Sequence, residues 1–313
     1  MAIIPYTGNS DYCYANSLHM SLLAAGAVQR ELPSPGFLEC LTTLPFGKMY
    51  LRLEEGPLVF FSSPEINPDS GLTLALKSLG WTCQERRGDQ DDEALARLCE
   101  AAKNAPVLVG PVDLGYLSYN PLHADLAGGD HFLVVLAVEQ DHVLLHDPWK
   151  YPYAYLPIPE FMQAWRADRV GYRSAPYTFR THFQQVEQPT RQEMIARTLP
   201  TIKANVQAEP EGPVVYGGVQ ALYRLIKDLR ASKKPAELLS SLIYFVFPLA
   251  ARRSLDAAAF LIEGDMPEAA NLVQQQALLV GKAQYLAVHK QWGKVADVME
   301  RLAEVEQEHI ASL

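Results

Sequence analysis

At Gln188-Pro189-Thr190 the chain changes character, and this change constrains its folding more than any other feature of the sequence. Upstream lie short β-type runs punctuated by Pro and Gly: Pro57-Leu-Val-Phe-Phe61, Pro106-Val-Leu-Val-Gly110, His131-Phe-Leu-Val-Val-Leu-Ala-Val138 and His142-Val-Leu-Leu-His146. Helical patterns alternate with them. From Tyr14 to Ala25 the residues Ala15, Leu18, Leu22 and Ala25 recur at helical spacing, and further helices are expected at 72–79 and 91–103. Downstream the period is helical throughout, at roughly 190–206, 217–231, 235–250, 254–263, 267–290 and 292–311. Thr190 followed by Glu193 has the form of a capping box. The expected fold is therefore α+β, with an antiparallel sheet over residues 1–188. An all-α bundle over residues 189–313 is expected to pack on that first domain.

Length and composition agree with two domains. The chain has 313 residues, and domains average ~150. At 49% hydrophobic residues it can bury a core and is not a disordered chain. The net charge of −9 is confined to the first part: residues 1–188 hold 13 Lys+Arg against 22 Asp+Glu, and residues 189–313 hold 14 of each. That balance excludes a basic nucleic-acid footprint. No uninterrupted apolar run reaches the length of a membrane span, and the first residues lack the basic and apolar regions of a secretory signal. Cys13, Cys40, Cys83 and Cys99 form no CxxC or Cys/His zinc pattern. Free thiols in the cytoplasm, with no metal, cofactor, membrane or nucleic-acid partner, are the expectation.

Cys13 stands where the polar loop Asn9-Ser-Asp-Tyr12 turns into an amphipathic helix. Unpaired N–H groups and a partial positive charge at a helix start favour a thiolate and can hold an oxyanion. A lone Cys is more often a small buried hydrophobe, so the thiol needs a base. His19 lies six positions on, about 240° around the helix, and cannot face it. His131 opens a β-strand after Gly128-Gly129, and the return strand ends at Asp147-Pro148. If Leu133 lies opposite Asp147, His131 and Asp147 share a face; a register one residue off separates them. In the first register Asp147 orients His131, whose other nitrogen serves Cys13. The plainer alternatives are a strand-end histidine bound to backbone and a turn-forming Asp before Pro148.

These segments resemble the butirosin biosynthesis protein H family, and more broadly the papain-like thiol enzymes. The resemblance is carried by Cys13-Tyr-Ala-Asn-Ser-Leu18, by Pro106-Val-Leu-Val-Gly-Pro-Val-Asp113-Leu-Gly-Tyr116-Leu-Ser-Tyr119, by His131 to Val135 and by Asp147-Pro148, over roughly residues 8–175. Gly217-Gly218 and Arg252 to Leu261 extend it more weakly. It implies a papain-like first domain and acyl transfer from a carrier-protein thioester to a small-molecule amine. Cys13 would carry the acyl group, His131 would move the protons and Asp147 would orient His131. Papain-like enzymes often place a Gln before the Cys as oxyanion donor. None stands there here, and Asn9 is the nearest amide. Asp113, Tyr116 and Tyr119 are candidate substrate-binding residues, with ordinary packing as the alternative. Asp11 and Asp130 would make the cleft anionic. Trp149 either shields the His–Asp pair or caps the core.

Three functions compete: an acyltransferase, a cysteine peptidase or amidase with the same triad, and a non-catalytic binding protein on the same fold. The first two share chemistry up to the thioester. An acyl carrier protein, acidic as a class, is expected to dock where positive charge concentrates, at Arg230, Lys233 and Lys234 and at Arg252 and Arg253.

Overall fold

The computed structural model describes residues 7–8, 12–54, 56–88 and 90–313. Its first elements are α1 (Cys13–Ala24), α2 (Pro35–Leu41), β1 (Met49–Arg52), β2 (Pro57–Phe60), α3 (Pro68–Leu79), β3 (Trp81–Arg86), α4 (Asp91–Asn104) and β4 (Val107–Asp113). Then follow β5 (Asp130–Val138), β6 (His142–Asp147), β7 (Tyr151–Pro157), α5 (Ile158–Arg166) and β8 (Phe179–Gln185). The remainder is α6 (Arg191–Gln207), β9 (Val215–Gly217), α7 (Gly218–Arg230), α8 (Ala236–Ser241), α9 (Phe247–Glu263), α10 (Pro267–Val288) and α11 (Trp292–Ser312). The architecture is α+β, with antiparallel sheets in the N-terminal region and a helical C-terminal region.

The chain divides into two compact units, one of Met1–Leu38 with Leu79–Gln188 and one of Glu39–Ser78 with Pro189–Leu313. In the first, six strands run in the order β3-β8-β4-β5-β6-β7. Strand β5 is buried on both faces, which is why its sequence is a continuous apolar run rather than an alternation. Leu133 and Val135 pack with Leu98, Phe161 and Trp165 of α4 and α5. Val134 and Leu136 pack with Met20 of α1. Helix α4 carries Asp91, Asp92 and Glu93 in its first turn and Lys103 in its last, matching the dipole. Gly110 has no substitute in β4, because a Cβ there would stand 2.3 Å from the Phe132 ring.

Residues 39–78 group with the helical unit, whereas the sequence reading placed them in the first domain. The reason is buried polar chemistry that spacing along the chain does not reveal. Lys48 Nζ donates to Glu306 Oε2 at 3.0 Å, Arg253 Nε to Glu39 Oε1 at 2.9 Å, and Asn205 Nδ2 to Thr43 Oγ1 at 2.9 Å. Strand β1 lies between β2 and β9, so the three-stranded sheet also joins the two stretches. The Thr190–Glu193 capping box forms at the start of α6.

The break expected between residues 250 and 254 does not occur. Ala236–Glu263 is one helical run with a π-turn at Leu242–Val246. Pro248 lacks an N–H and its ring collides with a normal α ladder, and a wider turn just before it relieves both. Gln284 Nε2 donates to the Ile243 carbonyl at 2.9 Å within that turn. By length and composition this run is apolar enough to cross a membrane, and 44% of its most apolar window is buried. Its Leu238, Leu242, Val246, Phe247 and Ala250 belong to the core of the helical unit.

Candidate active site

The site forms around the β5–β6 hairpin. Val134 pairs with His146 and Val135 with Leu145, so one further step sets Leu133 opposite Asp147. That is the register in which His131 and Asp147 share a face. The ring Nε2 of His131 lies 2.6 Å from Asp147 Oδ1. His131 is 3% exposed and Asp147 0%. Helix α1 delivers the thiol. Its Tyr14 ring packs edge-to-face on Phe132, centroids 5.9 Å apart, which brings the neighbouring residues Cys13 and His131 together. Cys13 lies close enough to His131 for its sulfur to act on the charge of the imidazole. With Nε2 committed to Asp147, Nδ1 is the nitrogen left for the sulfur.

Cys13 is the first residue of α1, and the side chain of the N-cap residue Tyr12 makes no capping bond. N–H groups at a helix start suit an oxyanion on an acyl group attached to Cys13. Asn9, the expected amide donor, and Asp11 lie outside the described residues. Asp130 Oδ2 accepts a hydrogen bond from the Tyr172 hydroxyl at 2.7 Å.

Electrostatics favour a charged pair. Burial alone would keep the His131 imidazole neutral, but the Asp147 carboxylate and the Cys13 sulfur outweigh it and hold it well above the ordinary histidine range. Burial likewise pushes the Asp147 carboxyl up. His131, the Trp149 N–H and the Tyr119 hydroxyl together hold it below its ordinary value. The linkage has two signs. The raised imidazolium contributes stability fully below the unfolded-state value of ~6.5 and loses it as pH rises through the folded one. The depressed carboxylate contributes above ~3.9 and loses it as pH falls through its folded value. Asp147→Asn keeps an acceptor but removes the charge, leaving the Cys13 sulfur alone to oppose burial. His131 should then titrate lower than in the parent protein, read by 15N NMR of the ring. A titration unchanged from the parent protein would remove Asp147 as the source of the shift.

The other expected residues have different tasks. Asp113 is not placed as a substrate ligand: it is fully buried and both its oxygens are engaged. Oδ1 accepts from the N–H groups of Gly115 and Gly128 at 2.8 and 2.9 Å, and Oδ2 from Arg169 Nε at 2.6 Å. Tyr116 lies under the Arg169 guanidinium, 4.6 Å from ring centre to carbon. Tyr119 donates its hydroxyl to Asp147 Oδ2 at 2.8 Å. Two partners of Asp147 escaped the sequence reading: that hydroxyl and the Trp149 N–H, which donates to Oδ1 at 2.6 Å. The second had a local signal, since an Asp bonding the N–H two residues on is an Asx-turn. Asp147 is thus both turn former and partner of His131. The Trp149 ring sits 6.3 Å from the imidazole, centre to centre. His19 faces Thr7, with Nδ1 3.1 Å from Oγ1.

The basic patch expected to dock a carrier protein is largely neutralised. Arg230 pairs with Asp297 and Glu300, and Arg252 with Asp256. Arg253 is buried against Glu39, and Lys234 Nζ donates to the Ala231 carbonyl. Asp256, one turn on from Arg252, is legible along the sequence, whereas Asp297, Glu300 and Glu39 come from elements that a charge count does not set beside these cations. Among the described residues no three His, Cys, Asp or Glu side chains gather as metal ligands.

Comparison with known proteins finds one match confined to the helical part and one that runs along nearly the whole chain. Residues 211–313 match the family model described as the YobF C-terminal domain. That stretch lies wholly C-terminal to Cys13, His131 and Asp147. The chain is also 28% identical over 305 residues to the uncharacterized protein YobF of Bacillus subtilis (strain 168), an alignment covering 97% of this chain and 96% of that one. Neither description states an activity.

Proposed function

We propose that this protein is a cytoplasmic cysteine-nucleophile acyltransferase that forms an amide through a thioester on Cys13. The observation that carries the reading is His131, buried, bonded through Nε2 to Asp147 and within electrostatic reach of Cys13 at the start of a helix. In the forward step His131 takes the thiol proton. The sulfur attacks the acyl carbon of a donor thioester, and the donor thiolate leaves with a proton returned by the imidazolium. In the second step His131 takes a proton from the attacking amine, the amide forms and the Cys13 thiolate departs. Donor and acceptor classes, an acyl carrier thioester and a small-molecule amine, follow from the family resemblance.

Iodoacetamide tests the nucleophile directly. Alkylation goes through the thiolate, so a thiol with a base beside it reacts ahead of thiols without one. Cys13 is expected to label ahead of the other three cysteines, as peptide mapping would show. Burial pushes the Cys40 and Cys83 thiols up. Labelling of Cys13 no faster than Cys99 would reject the reading. With an acyl thioester and a panel of amines, amide product supports transfer, and free acid alone replaces it with hydrolysis.

A further inference from the structure

We propose that Tyr119 is a positioning residue of the thiol centre, acting on His131 through Asp147. The inference rests on the thiol-enzyme reading above and adds to it a fourth member of the hydrogen-bonded chain. The Asp147 carboxylate is fully buried and its two oxygens are divided. Oδ1 faces His131 Nε2 and the Trp149 N–H, and Oδ2 accepts the Tyr119 hydroxyl at 2.8 Å. A carboxylate held on one oxygen only can rotate about its terminal bond, which is softly and broadly populated. A donor on the second oxygen fixes the plane in which the first meets the imidazole. Such a donor to a buried charge also counts for more than it would in water.

The loop that carries Tyr119 is built to hold it there. Residues 114–129 connect β4 to β5, and Asp113 pins both ends by accepting from Gly115 and Gly128. The N–H of Leu114 closes the same neck by donating to the Gly129 carbonyl at 2.9 Å. Inside the loop the Tyr119 ring packs edge-on against Tyr151, centroids 5.3 Å apart. The burial of Asp113, which bars it from a substrate, is therefore what places Tyr119. A substrate ligand would point its hydroxyl at open space; this one is spent on a buried carboxylate.

The test is a double-mutant cycle read by the rate at which iodoacetamide alkylates Cys13, a reaction that goes through the thiolate and so reports on the base beside it. Tyr119→Phe keeps the ring and removes only the hydroxyl. It should slow alkylation about tenfold, the rate equivalent of one charge-assisted hydrogen bond. In an Asp147→Asn background the same change should cost nothing further. An unchanged rate in the single variant, or an equal loss in both backgrounds, would overturn the inference. Should the Tyr119→Phe variant not fold, 3-fluorotyrosine incorporated at position 119 leaves the site intact. Its 19F resonance should move with the His131 titration, and a resonance indifferent to it would overturn the proposal. His131→Ala separates the two levels. If it leaves alkylation unchanged, the thiol-enzyme reading itself fails. If it slows alkylation while Tyr119→Phe does not, only the role of Tyr119 is lost.

Discussion

Cys13→Ala is expected to abolish turnover of an acyl thioester, a loss on the order of 10⁴–10⁶-fold where a nucleophile and its base act as a unit. Incubated with an acyl thioester and no amine, the parent protein should gain the mass of one acyl group, released by hydroxylamine. The Cys13→Ala protein should gain none. His131→Ala should lose nearly as much as Cys13→Ala, and the double variant little more than either, because each residue is useless without the other. Mass gain at another cysteine, or turnover surviving the loss of Cys13, would remove acyl transfer through this thiol. The geometry makes the demand strict: His131, held by Asp147, is the base beside Cys13.

The second large effect concerns stability. Lys48→Ala should destabilise the helical unit by about 3–5 kcal/mol, because Glu306 would keep its charge in a fully buried position without its main partner. Burial alone would raise the Glu306 carboxyl; Lys48, with His309 assisting, holds it at about 2. The sign is that of a depressed carboxylate. The stabilisation is complete above the unfolded value of ~4.3 and disappears as pH falls toward 2. Replacing the pair together, by Lys48→Met with Glu306→Leu, should recover most of the loss, since well-packed apolar side chains cost no desolvation. Urea unfolding followed by helical circular dichroism measures all three proteins. If Lys48→Ala and the double variant proved equally unstable, packing rather than uncompensated charge would be responsible. The Arg253–Glu39 pair should follow the same rule.

The two effects belong to different links between sequence and function. Cys13, His131 and Asp147 are legible in the sequence because each sits at a local signal: a helix start, the mouth of an apolar strand after two glycines, an Asp before Pro. Lys48 and Glu306 have no such signal. They lie 258 positions apart, and nothing local marks either as buried. Asp113, Tyr116 and Tyr119 show the intermediate case. Their segment stands out in the sequence, but a side chain's partner is a property of the fold. The hydroxyl of Tyr119 and the carboxylate of Asp113 turned to the protein rather than outward.

What the sequence determined by itself are the features set within one turn or one strand. These are the helical periods on either side of Gln188, the capping box at Thr190, the acidic start of α4, the apolar run of β5 and the hairpin that follows it. What only the tertiary structure decided is whether His131 and Asp147 meet. At the hairpin end the register is Val138 to Val143 and Ala137 to Leu144. Carried straight down the ladder, it would set Val134 opposite Asp147 and put His131 on the other face. A one-residue bulge at Leu136 shifts the pairing to Val135 with Leu145 and restores the shared face. Leu136 is held there by its packing with Met20 of α1, Val134 and Leu144. The helix that carries the thiol thus also packs against the bulge that turns the base toward its carboxylate, a contact between residues 116 positions apart that no local pattern encodes.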